Sequence, residues 1–78
     1  MPTVLRIDGY RFFFFSDEHL PVHIHIEKAE SYMRIDLETM RVTDCYQISS
    51  KEIKRVLLLT QKHRKELLGA WHEYFGEN

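Results

Sequence analysis

Seventy-eight residues with 11 Lys and Arg against 12 Asp and Glu carry a formal net charge of −1, which excludes a uniformly basic nucleic-acid binder and leaves only a local patch for such contacts. A chain this short buries only about 60% of the surface its unfolded form exposes, so residues 1–78 are read as a single domain with a thin core. One cysteine, Cys45, excludes an internal disulfide, and apolar runs at 12–15 and 56–59 fall far short of the roughly 20 residues that cross a bilayer, so a cytoplasmic location without membrane contact is expected.

Residues 3–7 and 10–15 are rich in β-branched and aromatic side chains, and Asp8-Gly9 between them is a strong signal for a two-residue hairpin turn. That turn predicts Ile7 opposite Tyr10, Leu5 opposite Phe12 and Thr3 opposite Phe14 on one face, with Arg6 opposite Arg11 and Val4 opposite Phe13 on the other. Residues 22–27 alternate, placing Val22, Ile24 and Ile26 on the core face and His23, His25 and Glu27 on the outer face. Residues 31–37 repeat the pattern with Met33, Ile35 and Leu37 inward and Tyr32, Arg34 and Asp36 outward; a short fifth strand is predicted near 41–44. Ser49 as N-cap with Glu52 three residues later then opens a helix over about 50–75, with Ile48 against Ile53 as a hydrophobic staple and Gly76 as the stop. Its apolar stripe runs through Ile53, Val56, Leu57, Thr60, Leu67, Leu68, Trp71, Tyr74 and Phe75. Arg64 interrupts it beside His63, where the helix is expected to bend, leave the sheet or split. The fold class is α+β: an antiparallel meander of four or five strands over about 3–44 and a long C-terminal helix, in two layers.

One helix layer covers one face of the sheet, so the other is left for solvent or a partner. Arg6, Arg11, Phe13, Phe15, His23, His25, Glu27, Tyr32, Arg34 and Asp36 all project there. Exposed aromatics beside arginines define protein interfaces, and the same mixture serves as a stacking platform for single-stranded RNA. Trp71 and Phe75 are core residues, or partner anchors if the helix overhangs the sheet. His23 and His25 have three readings. They are two ligands of a divalent metal, with a third from Asp36, Glu18 or His19, since Glu27 is too far along the strand to join both. They are a general acid and base across a phosphodiester, with Arg34 or Arg11 stabilising the developing charge in a metal-independent ribonuclease. Or they are simply hydrogen-bonded surface histidines. The secondary amine of Pro2 is a weaker candidate nucleophile, Cys45 reads as a small half-buried residue, and His63 and His72 lack the spacing of a helical metal motif.

Taken together, Met1-Pro2-Thr3-Val4, Gly9-Tyr10-Arg11-Phe12 with Phe14, Glu18, Pro21 followed by His23-Ile24-His25, Arg34, and Ala70-Trp71 through Phe75 resemble the short prokaryotic family known as domain of unknown function 4160. The resemblance covers nearly the whole chain. Gln47, near a position where the family favours glycine, and a compressed loop between Phe15 and Pro21 depart from its pattern. It implies no cofactor and no proven reaction. It does imply a second small protein encoded nearby, in an arrangement similar to toxin-antitoxin pairs, and it places His23, His25, Arg11 and Arg34 among the residues that matter. A homo-oligomer and an RNA partner stay open beside that protein complex.

Overall fold

A computed structural model describes residues 3–76; Pro2 lies outside them. Five strands follow in chain order, β1 (Thr3–Ile7), β2 (Tyr10–Phe13), β3 (His23–Lys28), β4 (Ser31–Asp36) and β5 (Val42–Tyr46), and two helices complete the chain, α1 (Ser50–Lys62) and α2 (Arg64–Phe75). The strands form one antiparallel sheet in the order β1-β2-β3-β4-β5. Asp8 and Gly9 both take positive φ, 54° and 85°, as a type I′ hairpin turn requires, and the register begins as expected with Ile7 opposite Tyr10, Arg6 opposite Arg11 and Leu5 opposite Phe12. A bulge then brings Thr3 opposite Phe13, so the expected pairs Val4 with Phe13 and Thr3 with Phe14 do not form. Strand β2 ends at Phe13, two residues earlier than expected, and Phe14 and Phe15 belong to the loop that follows.

The core has the predicted parity. Phe12, Phe14, Val22, Ile24, Ile26, Met33, Ile35 and Leu37 are buried beneath Val56, Leu67 and Trp71 of the helices. Ser49 caps α1, its hydroxyl accepting the Glu52 N–H at 3.2 Å, and Gln47 just before it has φ 52°, the left-handed conformation that favours glycine. Tyr10 packs at the same end, and burial followed by the nearby Glu52 carboxylate pushes its hydroxyl above the ordinary tyrosine range.

Of the outcomes expected where Arg64 interrupts the stripe, the helix over 50–75 splits, into α1 and α2. An unbroken helix of that span would be about 39 Å long, more than the 35 Å longest dimension of the protein. His63 leaves helical geometry (φ −106°, ψ 16°), and the Arg64 Nε donates to the Leu37 carbonyl at 2.6 Å, tying the break to the end of β4. The second helix thereby stays over the sheet and buries Leu67 and Trp71 instead of overhanging. Among the described residues no helix is long and apolar enough to cross a membrane. Cys45 is exposed on the edge strand β5, not half-buried as expected.

Candidate functional site

The outer face is where the structure departs most from expectation. Parity placed His23, His25 and Phe13 there correctly, yet they are 9%, 4% and 2% exposed, so they do not form an open platform. The cover is the loop between β2 and β3, which runs from the core residue Phe14 to the core residue Val22 and in between folds back across the sheet.

Glu18 is the centre of that cover. Its side chain is 8% exposed, and it meets both histidines: Oε1 lies 2.8 Å from His23 Nε2 and Oε2 lies 2.7 Å from His25 Nε2, while the Phe15 backbone N–H donates to Oε2 at 2.8 Å. Each ring is held from behind as well. The Nδ1 of His23 donates to the Pro21 carbonyl at 2.7 Å, and Nδ1 of His25 shares a hydrogen bond of 2.8 Å with Tyr32 Oη. Three donor atoms of Glu18, His23 and His25 thus lie within 4.8 Å of one another. No buried side-chain nitrogen or oxygen among the described residues lacks a partner.

Hydrogen-bond roles set the protonation of this cluster. A carbonyl and a carboxylate both only accept, so each nitrogen of His23 faces an acceptor, the Pro21 carbonyl at Nδ1 and Glu18 at Nε2. His25 is satisfied as a neutral ring, donating from Nε2 to Glu18 and accepting from the Tyr32 hydroxyl. Burial drives the His25 pKa below the ordinary histidine value, and the nearby Glu18 only partly opposes it. Burial also works against the charge of Glu18, but the Phe15 N–H and the two imidazoles outweigh it and hold the carboxyl below its usual range. Burial raises the Tyr32 hydroxyl.

Aromatic contacts wall the cluster. The Phe13 ring stacks on His25 at 5.4 Å, Phe15 meets His25 edge-on at 4.5 Å, and Arg11 lies over Phe13 at 4.1 Å. Phe13 and Phe15 therefore belong to a second, small core on the outer face, of which Phe15 remains 42% exposed. Because β2 ends opposite His25, no β2 residue lies beside His23, and Trp71 reaches its ring from α2 at 5.2 Å. Trp71 also packs on Phe14 and Phe75, so both helix aromatics sit in the fold's own cluster.

The remaining predicted residues divide into two groups. Arg34 lines a cavity of about 280 Å³ with Glu18, His19, Leu20, Pro21, His23, Asp36 and Thr43. Arg11 lies outside it, bonded to Glu27 at 2.7 Å and to Thr3 at 2.9 Å, and the His25 ring is closed off behind Glu18. His23 and Arg34 therefore share one cavity, and His25 and Arg11 do not line it. Arg6 is exposed on β1. Of the three candidates for a third ligand, Glu18 is the one whose carboxylate meets both histidines. Asp36 lies opposite His23 in register, but its Oδ1 accepts the Glu38 and Thr39 N–H groups, and His19 is exposed. Two supporting groups had no usable signal as such: the Pro21 carbonyl is backbone, and Tyr32 read only as a stacking residue.

The family DUF4160, described as a domain of unknown function, matches residues 9–72, most of the chain. No curated protein and no solved structure matches.

Proposed function

Starting from the fact that the chain belongs to DUF4160, whose description names no activity, we propose that it binds a first-row divalent metal, zinc or iron(II), through His23 Nε2, His25 Nε2 and the Glu18 carboxylate. The observation that carries this reading is the orientation of the rings: both Nδ1 atoms are tied to a carbonyl or hydroxyl, and both Nε2 atoms converge on one carboxylate. Metal-ligating histidines are characteristically anchored in this way through their second nitrogen. Two imidazoles and a carboxylate are a familiar ligand set for catalytic zinc and non-haem iron, and they leave a coordination position open. Around a tetrahedral ion the present imidazole–carboxylate separations widen by roughly half an ångström. Coordination through both Nε2 atoms requires each ring to hold its proton on Nδ1, where the Pro21 carbonyl and Tyr32 Oη can accept it, so any proton on Nε2 would be released or moved to Nδ1 on binding.

Cobalt(II) titration tests the reading, with visible absorption reporting ligand number and geometry and calorimetry reporting stoichiometry. One equivalent giving a tetrahedral or five-coordinate spectrum, lost in His23→Ala and His25→Ala, is the expected result. Absence of a saturable one-to-one spectrum overturns it.

A protein partner is the second reading, favoured by Leu58, which is 72% exposed beside a groove lined by Met40, Lys54, Leu57 and Gln61. Its occupant is the second small protein of the toxin-antitoxin-like pair implied by the resemblance, in the cytoplasm. Coexpression with the neighbouring gene's product and copurification test it; a chain that elutes alone, unaffected by that product and by Leu58→Glu, overturns it.

A further inference from the structure

The cavity beside His23 has its own chemistry, which becomes clear once its hydrogen-bonding capacity is counted. Glu18 is engaged by two imidazoles and a backbone N–H, and one oxygen of Asp36, Oδ1, by two N–H groups of the turn that follows it. Arg34 differs. It stands directly opposite Asp44 on β5, yet its Nε donates to Thr43 Oγ1 at 2.9 Å, and among the described residues no carboxylate lies within ion-pair distance of it. Thr43 also returns a hydrogen bond to the Arg34 carbonyl at 3.3 Å, which braces the guanidinium against β5, and its terminal N–H groups have no partner among the described residues. Those N–H groups are the donor capacity that the cavity offers.

We infer that this cavity binds a small oxyanion, a phosphate ester or a carboxylate, with the Arg34 fork on two of its oxygens and a third directed at the open side of the Glu18–His23–His25 centre. A guanidinium matches such a group in a paired, planar geometry that an ammonium cannot reproduce. About 280 Å³ admits a small molecule or the charged end of a larger one. The contact at the metal rests on the reading above, whereas recognition by Arg34 does not.

The test follows the side-chain Nε–H resonance of Arg34 by NMR in metal-free and zinc-loaded protein, with methyl phosphate and acetate as separate probes. A saturable shift is expected, tighter with zinc bound. Arg34→Gln, followed through backbone amides at the cavity, is expected to weaken it by about tenfold or more, and Arg34→Lys, which keeps charge without the fork, by an intermediate factor. The probe that binds more tightly identifies the ligand's head group. If zinc binds but neither probe moves the Arg34 resonance, the anion site is refuted and the metal centre stands. If zinc does not bind but methyl phosphate or acetate still binds in an Arg34-dependent way, the metal reading falls and the anion site stands. Shifts unchanged in Arg34→Gln overturn the inference whatever the metal does.

Discussion

Replacing Glu18 in two ways separates its structural contribution from its capacity to ligate. Alanine removes the acceptor of three hydrogen bonds, at 2.7, 2.8 and 2.8 Å, and leaves the buried Nε2 atoms of His23 and His25 without their partner. Breaking a buried charged pair from one side typically costs about 3–5 kcal/mol, against a total of about 4–12 kcal/mol for a domain of this size. Glutamine behaves differently because the two carboxylate oxygens have different partners. The oxygen Oε2 accepts from Phe15 and His25, which an amide oxygen also does. At the position of Oε1 an amide N–H donates to His23 Nε2, provided that ring is in its neutral form with the proton on Nδ1, which the Pro21 carbonyl already favours. Glu18→Gln is therefore expected to stay within about 1 kcal/mol of wild type. Its zinc affinity is expected to fall by at least about 100-fold, beyond the range for losing an outer-shell partner. Urea unfolding with chelator present reads the first quantity: a midpoint shift of roughly 2 M for Glu18→Ala at an m-value near ~2 kcal/mol/M, and little shift for Glu18→Gln. Competition with a chromophoric chelator reads the second. A Gln variant as unstable as the Ala variant refutes the hydrogen-bond accounting, and one that holds zinc as tightly as wild type refutes Glu18 as a ligand.

Phe13→Ala is expected to cost about 3–5 kcal/mol in chemical denaturation, the range for a buried aromatic, since the ring is 2% exposed between Arg11 and His25; a loss under about 0.5 kcal/mol would return it to the surface. Tyr32→Phe removes the hydroxyl behind His25 Nδ1 and is expected to lower zinc affinity about 10–100-fold, measured by the same competition assay. Gly9→Ala places a Cβ at φ 85° and 3.0 Å from Lys28 Cε; a loss of about 1 kcal/mol, read as a lower melting temperature, is expected. The Asp36 carboxyl sits below the ordinary aspartate value, first because of the Thr39 N–H. The folded state thus favours its ionised form, so the stability advantage of wild type over Asp36→Ala is full above that value and closes as pH falls through the folded pKa. A difference that is flat or widens toward acid contradicts the assignment.

Legibility from sequence followed the range of the interactions. The Asp8-Gly9 turn, the alternation of Val22 to Glu27 and the Ser49 cap are settled by neighbours a few residues apart, and all three stand where the pattern put them. The polar Arg64 in an apolar stripe marked where the helix breaks, though not its link to the Leu37 carbonyl. Burial of His23, His25 and Phe13 was not legible, because strand parity gives the face of a side chain and says nothing of what lies over that face. What lies there is an aperiodic loop whose path depends on Phe14 and Val22 being drawn into the core on either side of it. Glu18 could be named only as one of three candidates, since choosing it required knowing that the chain turns back over β3.

A latch alone does not explain this cluster. The loop is already fastened by Phe14 and Val22 in the main core and by Phe15 against Phe13 and His25. An apolar residue at position 18 with apolar neighbours at 23 and 25 would hold it at least as well, because well-packed hydrophobic replacements of buried ionic groups are often neutral or stabilising. A latch also has no need for rings fixed from behind, yet Pro21 and Tyr32 each dedicate a polar atom to aiming an Nε2. Desolvation that weakens the proton on His25 and hydrogen bonds that keep Glu18 ionised leave one neutral imidazole and one carboxylate, the forms that coordinate metals. The aim of the rings and the charge states thus point the same way, and the guanidinium of Arg34 across the adjoining cavity supplies what a ligand at the open position would meet.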